Sequence, residues 1–197
     1  MAGRLDLPCL DESGFAPTLP TTYTWARAAA RARVPYEAPQ RRRVNVPGAG
    51  APFGAAPRFA YTSRAGKLDS AAFLAFLWRA VGAMTTPLGD VPADFRRARR
   101  CAIVPDNHSA HHSRAVKAAR PGLEAAGIEL FYLPASSPEL NPIEGLWRHV
   151  KGRVLANEPT PDLDASLDRV TDELLSMSPS RVRNLAGVNS GNFWLPT

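Results

Sequence analysis

Apolar positions come first in short runs and later at helical spacing along this chain. Residues 4–11, RLDLPCLD, read as a short, mostly buried strand that ends at Asp11 and Glu12, ahead of the turn-prone SGFAPTLP. A second strand is expected around Arg43 to Val46, then a hairpin loop over GAGAPFGAAP at 48–57 and another strand from Arg58 to Ser63. From Ser70 a helix is predicted, because Phe73, Leu74, Leu77 and Val81 recur on one face. After a linker with Pro87, Gly89 and Pro92, the apolar run CAIV stops at Pro105 and Asp106, so this strand also ends in an aspartate.

Ser113 can cap a helix that runs to about Ala126, where Gly127 closes it, and IELFYLP at 128–134 reads as a third buried strand. Asn141 then serves as an N-cap with Pro142 at the first helical position, and Ile143, Leu146, Trp147, Val150 and Val154 form an apolar stripe. One more amphipathic helix is expected from Leu163 to Met177, followed by a polar tail. Strands grouped early, with helices alternating later, give an α/β class with a mixed central sheet flanked by helices. Residues 1–157 are expected to form one domain and 158–197 a C-terminal helical tail.

Composition narrows this picture. A chain of 197 residues, 45% hydrophobic, can bury one real core but not two full domains. No apolar run approaches the roughly 20 residues that span a bilayer, and the N-terminus lacks a signal-peptide pattern. A cytoplasmic protein with no membrane partner is therefore expected. Cys9 and Cys101 are the only cysteines and each falls in a predicted buried strand, which points to apolar filler and not to a disulfide framework. The net charge of +6 is uneven: residues 1–100 carry 15 Lys and Arg against 7 Asp and Glu, whereas residues 101–197 carry 9 against 11. A basic half is the footprint of a phosphate-backbone binder, although 21 of the 24 basic residues are Arg and the bias can also reflect genome composition.

The chemistry lies with three acids. Asp11 and Asp106 stand at predicted strand ends and Glu144 at the start of the helix that follows, a set of hard oxygen ligands suited to divalent metal and a phosphodiester. Each also has a simple structural reading: Asp11 and Asp106 as turn residues, Glu144 as the acid of a capping box begun by Asn141 or as a partner of Arg148. His108, His111, His112 and His149 lack the Cys or His spacing of a zinc site, so positioning DNA or the acids is the expected role of the first three.

LDESGF at 10–15, YTWA at 23–26, RRVNV at 42–46, PDNHSAH at 105–111 and YLPASSPELNPIEGLWRHVK at 132–151 together resemble the bacterial insertion-sequence branch of the mariner-like DDE transposases. The resemblance covers about Leu5 to Val154, and its last segment is the most specific. It implies a ribonuclease-H-like fold in which Asp11, Asp106 and Glu144 are catalytic, metal-binding acids for two Mg²⁺ ions, with Mn²⁺ able to substitute. Between Asp106 and Glu144 lie 37 residues, close to the spacing of such transposases. Asn107 and His111 match the family's Asn and His and are expected to support the acids or to touch DNA; Asn141 and Pro142 are expected to set the angle of the glutamate helix. Arg41, Arg42, Arg43, Arg96, Arg97, Arg99 and Arg100 are candidates for phosphate contacts.

The implied function is metal-dependent DNA cleavage and strand transfer, on transposon ends and target DNA, by a homodimer in the nucleoid. Such proteins carry a helix-turn-helix region ahead of the catalytic domain, whereas this chain reaches its first catalytic strand within ten residues of Met1. A separate helix-turn-helix polypeptide is one expectation from that difference, and an inactive remnant or accessory DNA-binding protein that keeps the fold is the alternative. A ribonuclease-H-like nuclease acting on hybrid or branched substrates is a third reading.

Overall fold

The computed structural model describes residues 5–17, 21–33, 43–53, 57–62, 64–65, 68–82, 91–157 and 162–190. Its strands are β1 (Leu5–Asp6), β2 (Cys9–Phe15), β3 (Val44–Ala51), β4 (Arg58–Tyr61), β5 (Arg64–Ala65), β6 (Arg100–Pro105) and β7 (Ile128–Leu130). Its helices are α1 (Ser70–Phe76), α2 (Arg114–Ala125), α3 (Ile143–His149), α4 (Leu163–Ser176) and α5 (Pro179–Leu185). Wider π-helical turns extend α1 through Leu77–Val81 and α3 through Val150–Leu155.

These strands form one mixed sheet. β6 pairs in parallel with β1, β2 and β7, while β3 runs antiparallel to β2, β4 and β5. Pro8, which has no amide hydrogen for a ladder, falls in the break between β1 and β2, and its carbonyl accepts from the Val104 amide at 2.9 Å. Pro105 ends β6, and its carbonyl accepts from Leu133 at 3.1 Å.

Two apolar layers cover the sheet. On one face Leu10, Ile103 and Ile128 pack with Phe73, Leu77, Val116 and Leu123 from α1 and α2. On the other, Phe15 and Val46 meet Ile143, Trp147, Val150, Val170 and Leu174 from α3, its extension and α4. The predicted helical stripes are therefore the core faces. Cys9 and Cys101 are free and buried among these strands, as apolar filler. Among the described residues no helix is long and apolar enough to cross a membrane.

Several expected boundaries move. β2 does not end at Asp11 and Glu12 but continues to Phe15, because all seven of its residues pair with β3. The expected hairpin loop begins later than residue 48: Gly48, Ala49, Gly50 and Ala51 belong to β3. A Cβ on Gly48 would stand 2.7 Å from both the Phe59 and the Trp147 rings, so glycine here makes room for Trp147 against the sheet. β7 is shorter than the predicted 128–134, although the Phe131 amide still donates to Ile103 at 2.8 Å. Asn141 does not cap α3 with its side chain; Pro142 holds the cap position.

The polar tail expected beyond Met177 contains α5, capped by the Ser178 hydroxyl on the Arg181 amide at 3.3 Å. α5 buries Val182, and Ala186 and Val188 just beyond it, with Leu146 of α3. The close approach depends on Gly145, where a Cβ would sit 1.9 Å from the Leu185 carbonyl oxygen. Gly145→Ala is expected to cost about 2 kcal/mol through overpacking, which lowers the thermal midpoint by roughly 5 °C for a domain of this size. Circular dichroism melts of the two proteins measure this directly, and superimposable curves would mean that α5 is not seated on α3.

Candidate active site

The parallel register of β2 and β6 sets the first two acids side by side. Leu10 pairs with Pro105, so Asp11 on β2 and Asp106, the first residue past β6, come next along each chain. Glu144 comes from the first turn of α3. The start of that helix is pinned by the Asn141 side chain, whose Nδ2 donates to the carbonyl of Leu10, the residue before Asp11, at 3.1 Å. Asn141 is 4% exposed, so this bond is sheltered from water and couples the third acid to the first. All three acids line one cavity of about 290 Å³, together with Asn107, His108 and Asn141. A larger cavity of about 550 Å³, between β4 and α1, has no carboxylate in its lining.

Asp106 is the better supported acid. His111 Nδ1 lies 2.8 Å from its Oδ1, and the His108 amide donates to the same oxygen at 3.2 Å. Burial alone would raise this carboxyl, but the His111 hydrogen bond and charge, with the His108 contacts, outweigh it and hold the group below the ordinary carboxylate value. The His111 ring is 3% exposed and stacks on Phe73 with centroids 4.1 Å apart, while its carbonyl accepts from the Tyr132 hydroxyl at 2.8 Å. This histidine thus cannot easily leave Asp106. Asn107, exposed on the cavity rim, is bonded through Oδ1 to His112.

Asp11 is held differently. Burial pushes its carboxyl up to about 7; the Glu12 backbone hydrogen bond opposes this, the Glu144 and Asp106 carboxylates add to it, and Lys151 opposes it least. The pair is asymmetric: its surroundings favour the ionised form of Asp106 and disfavour that of Asp11. As the side chains stand, no group of three His, Cys, Asp or Glu among the described residues is close enough to hold one ion. The site nonetheless fits divalent metal in its chemistry, since its donors are hard oxygens and their mutual repulsion is what a cation relieves.

Lys151 is a neighbour of the acids that sequence reasoning missed. It lies seven residues after Glu144, two helical turns on, and so returns to the same face. Its ammonium sits 5.7 Å from the Phe15 ring centroid and interacts with both Glu144 and Asp11. Burial lowers its pKa, Arg43 adds to the lowering, and the two acids oppose it. Arg43 stands on the same flank: its Nε donates to Asn45 Oδ1 at 2.8 Å, and its guanidinium occupies the space a Cβ on Gly14 would need.

The remaining predicted arginines divide. Arg41 and Arg42 lie outside the described residues. Arg96, Arg97, Arg99 and Arg100 are not brought to the cavity: they precede or begin β6, roughly 20 Å of strand or more away from Asp106. There Arg97 and Arg99 meet Asp6 at 2.7 and 3.2 Å, Arg100 pairs with Glu129, and Arg96 donates to the Phe95 carbonyl at 2.7 Å.

Against known proteins, the model of the family described as DDE superfamily endonuclease matches residues 6–166. Among solved structures, the Mos1 mariner paired-end complex with Mn is similar at a TM-score of 0.66 and 16% identity, covering 92% of this chain and 51% of that chain. The Mos1 strand transfer complex gives a TM-score of 0.62 at 16% identity, covering 93% and 50%. The catalytic domain of Mos1 mariner transposase gives 0.58 at 14% identity, covering 92% and 75%. The chain thus spans about half the length of the Mos1 chains in those complexes. No curated protein matches it. The structural likeness shows the ribonuclease-H-like fold expected from the sequence. With the family match running through all three acids, the chain belongs to the DDE superfamily endonucleases.

Proposed function

We propose that this chain is the catalytic part of a transposase, cutting DNA strands and joining them to a target. The observation that carries this reading is the meeting of Asp11, Asp106 and Glu144, from two parallel strands and a helix, in one cavity where Asp11 is destabilised as an anion. The likeness to Mos1 complexes described with Mn and with Mg supports it. We assign all three acids as ligands of two divalent ions, Mg²⁺ with Mn²⁺ substituting. When bound, such ions activate water and then a 3′-hydroxyl for in-line attack and neutralise the leaving oxygen.

The chain's own residues do the rest. His111 fixes the Asp106 carboxylate in rotamer and charge, and Asn141 sets the start of the Glu144 helix against Leu10. Lys151 and Arg43 provide a cationic flank on which a phosphate backbone can lie. Two DNA ends must be held together for joining, so we assign the reaction to a homodimer on DNA, working in the cytoplasm on chromosomal DNA. Recognition of specific ends falls to a helix-turn-helix module acting with it.

Purified protein is expected to nick supercoiled plasmid with Mg²⁺ or Mn²⁺ and not with chelator. Absence of nicking, together with no thermal shift on adding metal, would instead identify an inert relative that keeps the fold. Lys151→Gln is expected to fold normally, to slow nicking, and to reduce the salt slope of DNA binding by about 1, the contribution of a single phosphate contact. A salt titration of affinity with an unchanged slope would remove Lys151 from the backbone track.

A further inference from the structure

Between β2 and β3 the chain makes a strap, residues 21–33, whose thirteen residues are all exposed. Its sequence TTYTWARAAARAR carries three arginines and no acid. Tyr23 and Trp25 are its only aromatic side chains, and their exposures of 106% and 100% mean that among the described residues nothing covers either ring. Isolated exposed apolar residues are ordinary, but two whole aromatic rings two residues apart, interleaved with cations, present an unfilled binding surface. The strap is also anchored. The Thr22 amide donates to Asn157 Oδ1 at 2.9 Å, and Asn157 Nδ2 donates to the Thr22 hydroxyl at 3.0 Å. Asn157 follows the helix that carries Glu144 and Lys151, so the aromatic pair begins one residue from a point tied to the active-site helix. A turn closed by the Ala30 amide on the Arg27 carbonyl at 2.9 Å then reverses the chain, leaving Arg27, Arg31 and Arg33 exposed on either side of it.

The geometry points to a binding strap for unpaired DNA nucleotides, with Tyr23 and Trp25 as stacking platforms and the three arginines on the backbone. This rests on the DNA-cleaving reading above and names which part of the substrate the strap takes. Stacking needs the face of a base, which a paired duplex keeps covered and a single-stranded flank offers. Two rings separated by at most about 7 Å of chain are within reach of neighbouring nucleotides. Charge favours the same partner: with three arginines and no acid the strap complements a polyanion, and apart from the two rings it has only alanines and threonine methyls to bury against an apolar surface.

The test compares binding of the full chain, in chelator, to a blunt duplex and to the same duplex with an unpaired thymidine tail. Trp25→Ala and Tyr23→Ala are each expected to lose about tenfold in affinity for the tailed duplex while changing blunt-duplex binding by less than about twofold, with Trp25→Phe recovering most of the loss. The triple variant Arg27→Ala, Arg31→Ala, Arg33→Ala should weaken tail binding and lower its salt slope by about 2. Equal tail affinity in wild type and Trp25→Ala overturns the inference, as does a Trp25→Ala protein that changes only its sedimentation from dimer to monomer. Plasmid nicking by wild type, run alongside, separates the two claims: nicking with unchanged tail binding removes the strap's role alone, whereas absence of both nicking and tail binding removes the strap's role and the DNA-cleaving reading together.

Discussion

At pH 8 and without divalent metal, Asp11→Asn is expected to melt several degrees higher than the wild-type protein. The cause is the Asp11 carboxyl, which burial and two neighbouring acids push from 3.8 to about 7 in the folded chain. A raised acid pKa means that the folded state holds a proton the unfolded state has already released. Stability therefore falls as pH rises from about 4 to about 7, and the full penalty persists above that window. At 1.36 kcal/mol per unit this is at most roughly 4 kcal/mol, less once water relaxes around the site, and even half of it corresponds to a midpoint difference on the order of 5 °C. The difference between the two proteins should shrink on acidification and vanish near pH 4. Divalent metal should raise the wild-type midpoint at pH 8 much more than that of the variant, because binding relieves the same repulsion. Melts of both proteins at pH 4, 6 and 8 check this; a gap that stays constant with pH would show that Asp11 is not held in a desolvated, repulsive setting.

The second expected result concerns chemistry and leaves the fold intact. Asp106→Asn should reduce metal-dependent nicking by about a thousandfold or more, the factor that follows from losing about 4 kcal/mol of transition-state charge stabilisation. An asparagine Oδ1 can still accept from His111 and from the His108 amide, the two groups now bonded to the carboxylate. The surrounding structure therefore has little reason to change, and the melting curve without metal should remain within a degree or two of wild type. The pairing of lost nicking with kept stability separates a catalytic acid from a turn residue. Nicking that stays within tenfold of wild type in Asp106→Asn would falsify the assignment of this acid.

Much of this site was legible because two of its acids, Asp106 and Glu144, sit at local boundaries. The run CAIV stops at Pro105, which marks Asp106 as a strand end, and the stripe from Ile143 to Val154 fixes the helix that presents Glu144. Where the reading failed, a contact distant in sequence had overridden a local preference. Asp11 looks like a strand end until β3 pairs with the whole of β2, and Gly48 and Gly50 look like a loop until the Trp147 ring is known to lie against Gly48. Asn141 has the chemistry of a helix cap, but the Leu10 carbonyl claims its side chain instead. Ser178 followed by Pro179 was a helix-start signal that went unused, and α5 was missed as a result. Lys151 could have been found by stepping two turns along the helix from Glu144. The Arg96 to Arg100 cluster could not have been judged from sequence, because its acid partners Asp6 and Glu129 come from elsewhere in the chain.

The hydrogen bond from Asn141 to Leu10 joins residues 131 positions apart, and its consequence is one of timing. During synthesis the strands bearing Asp11 and Asp106 leave the ribosome first, and the segment that places Glu144 follows near the end of the domain. An unfinished chain therefore has two of its three acids and no means to orient the third. The three-acid cavity is therefore assembled only after the chain beyond Glu144 has been made, and a shorter product lacks one of its walls.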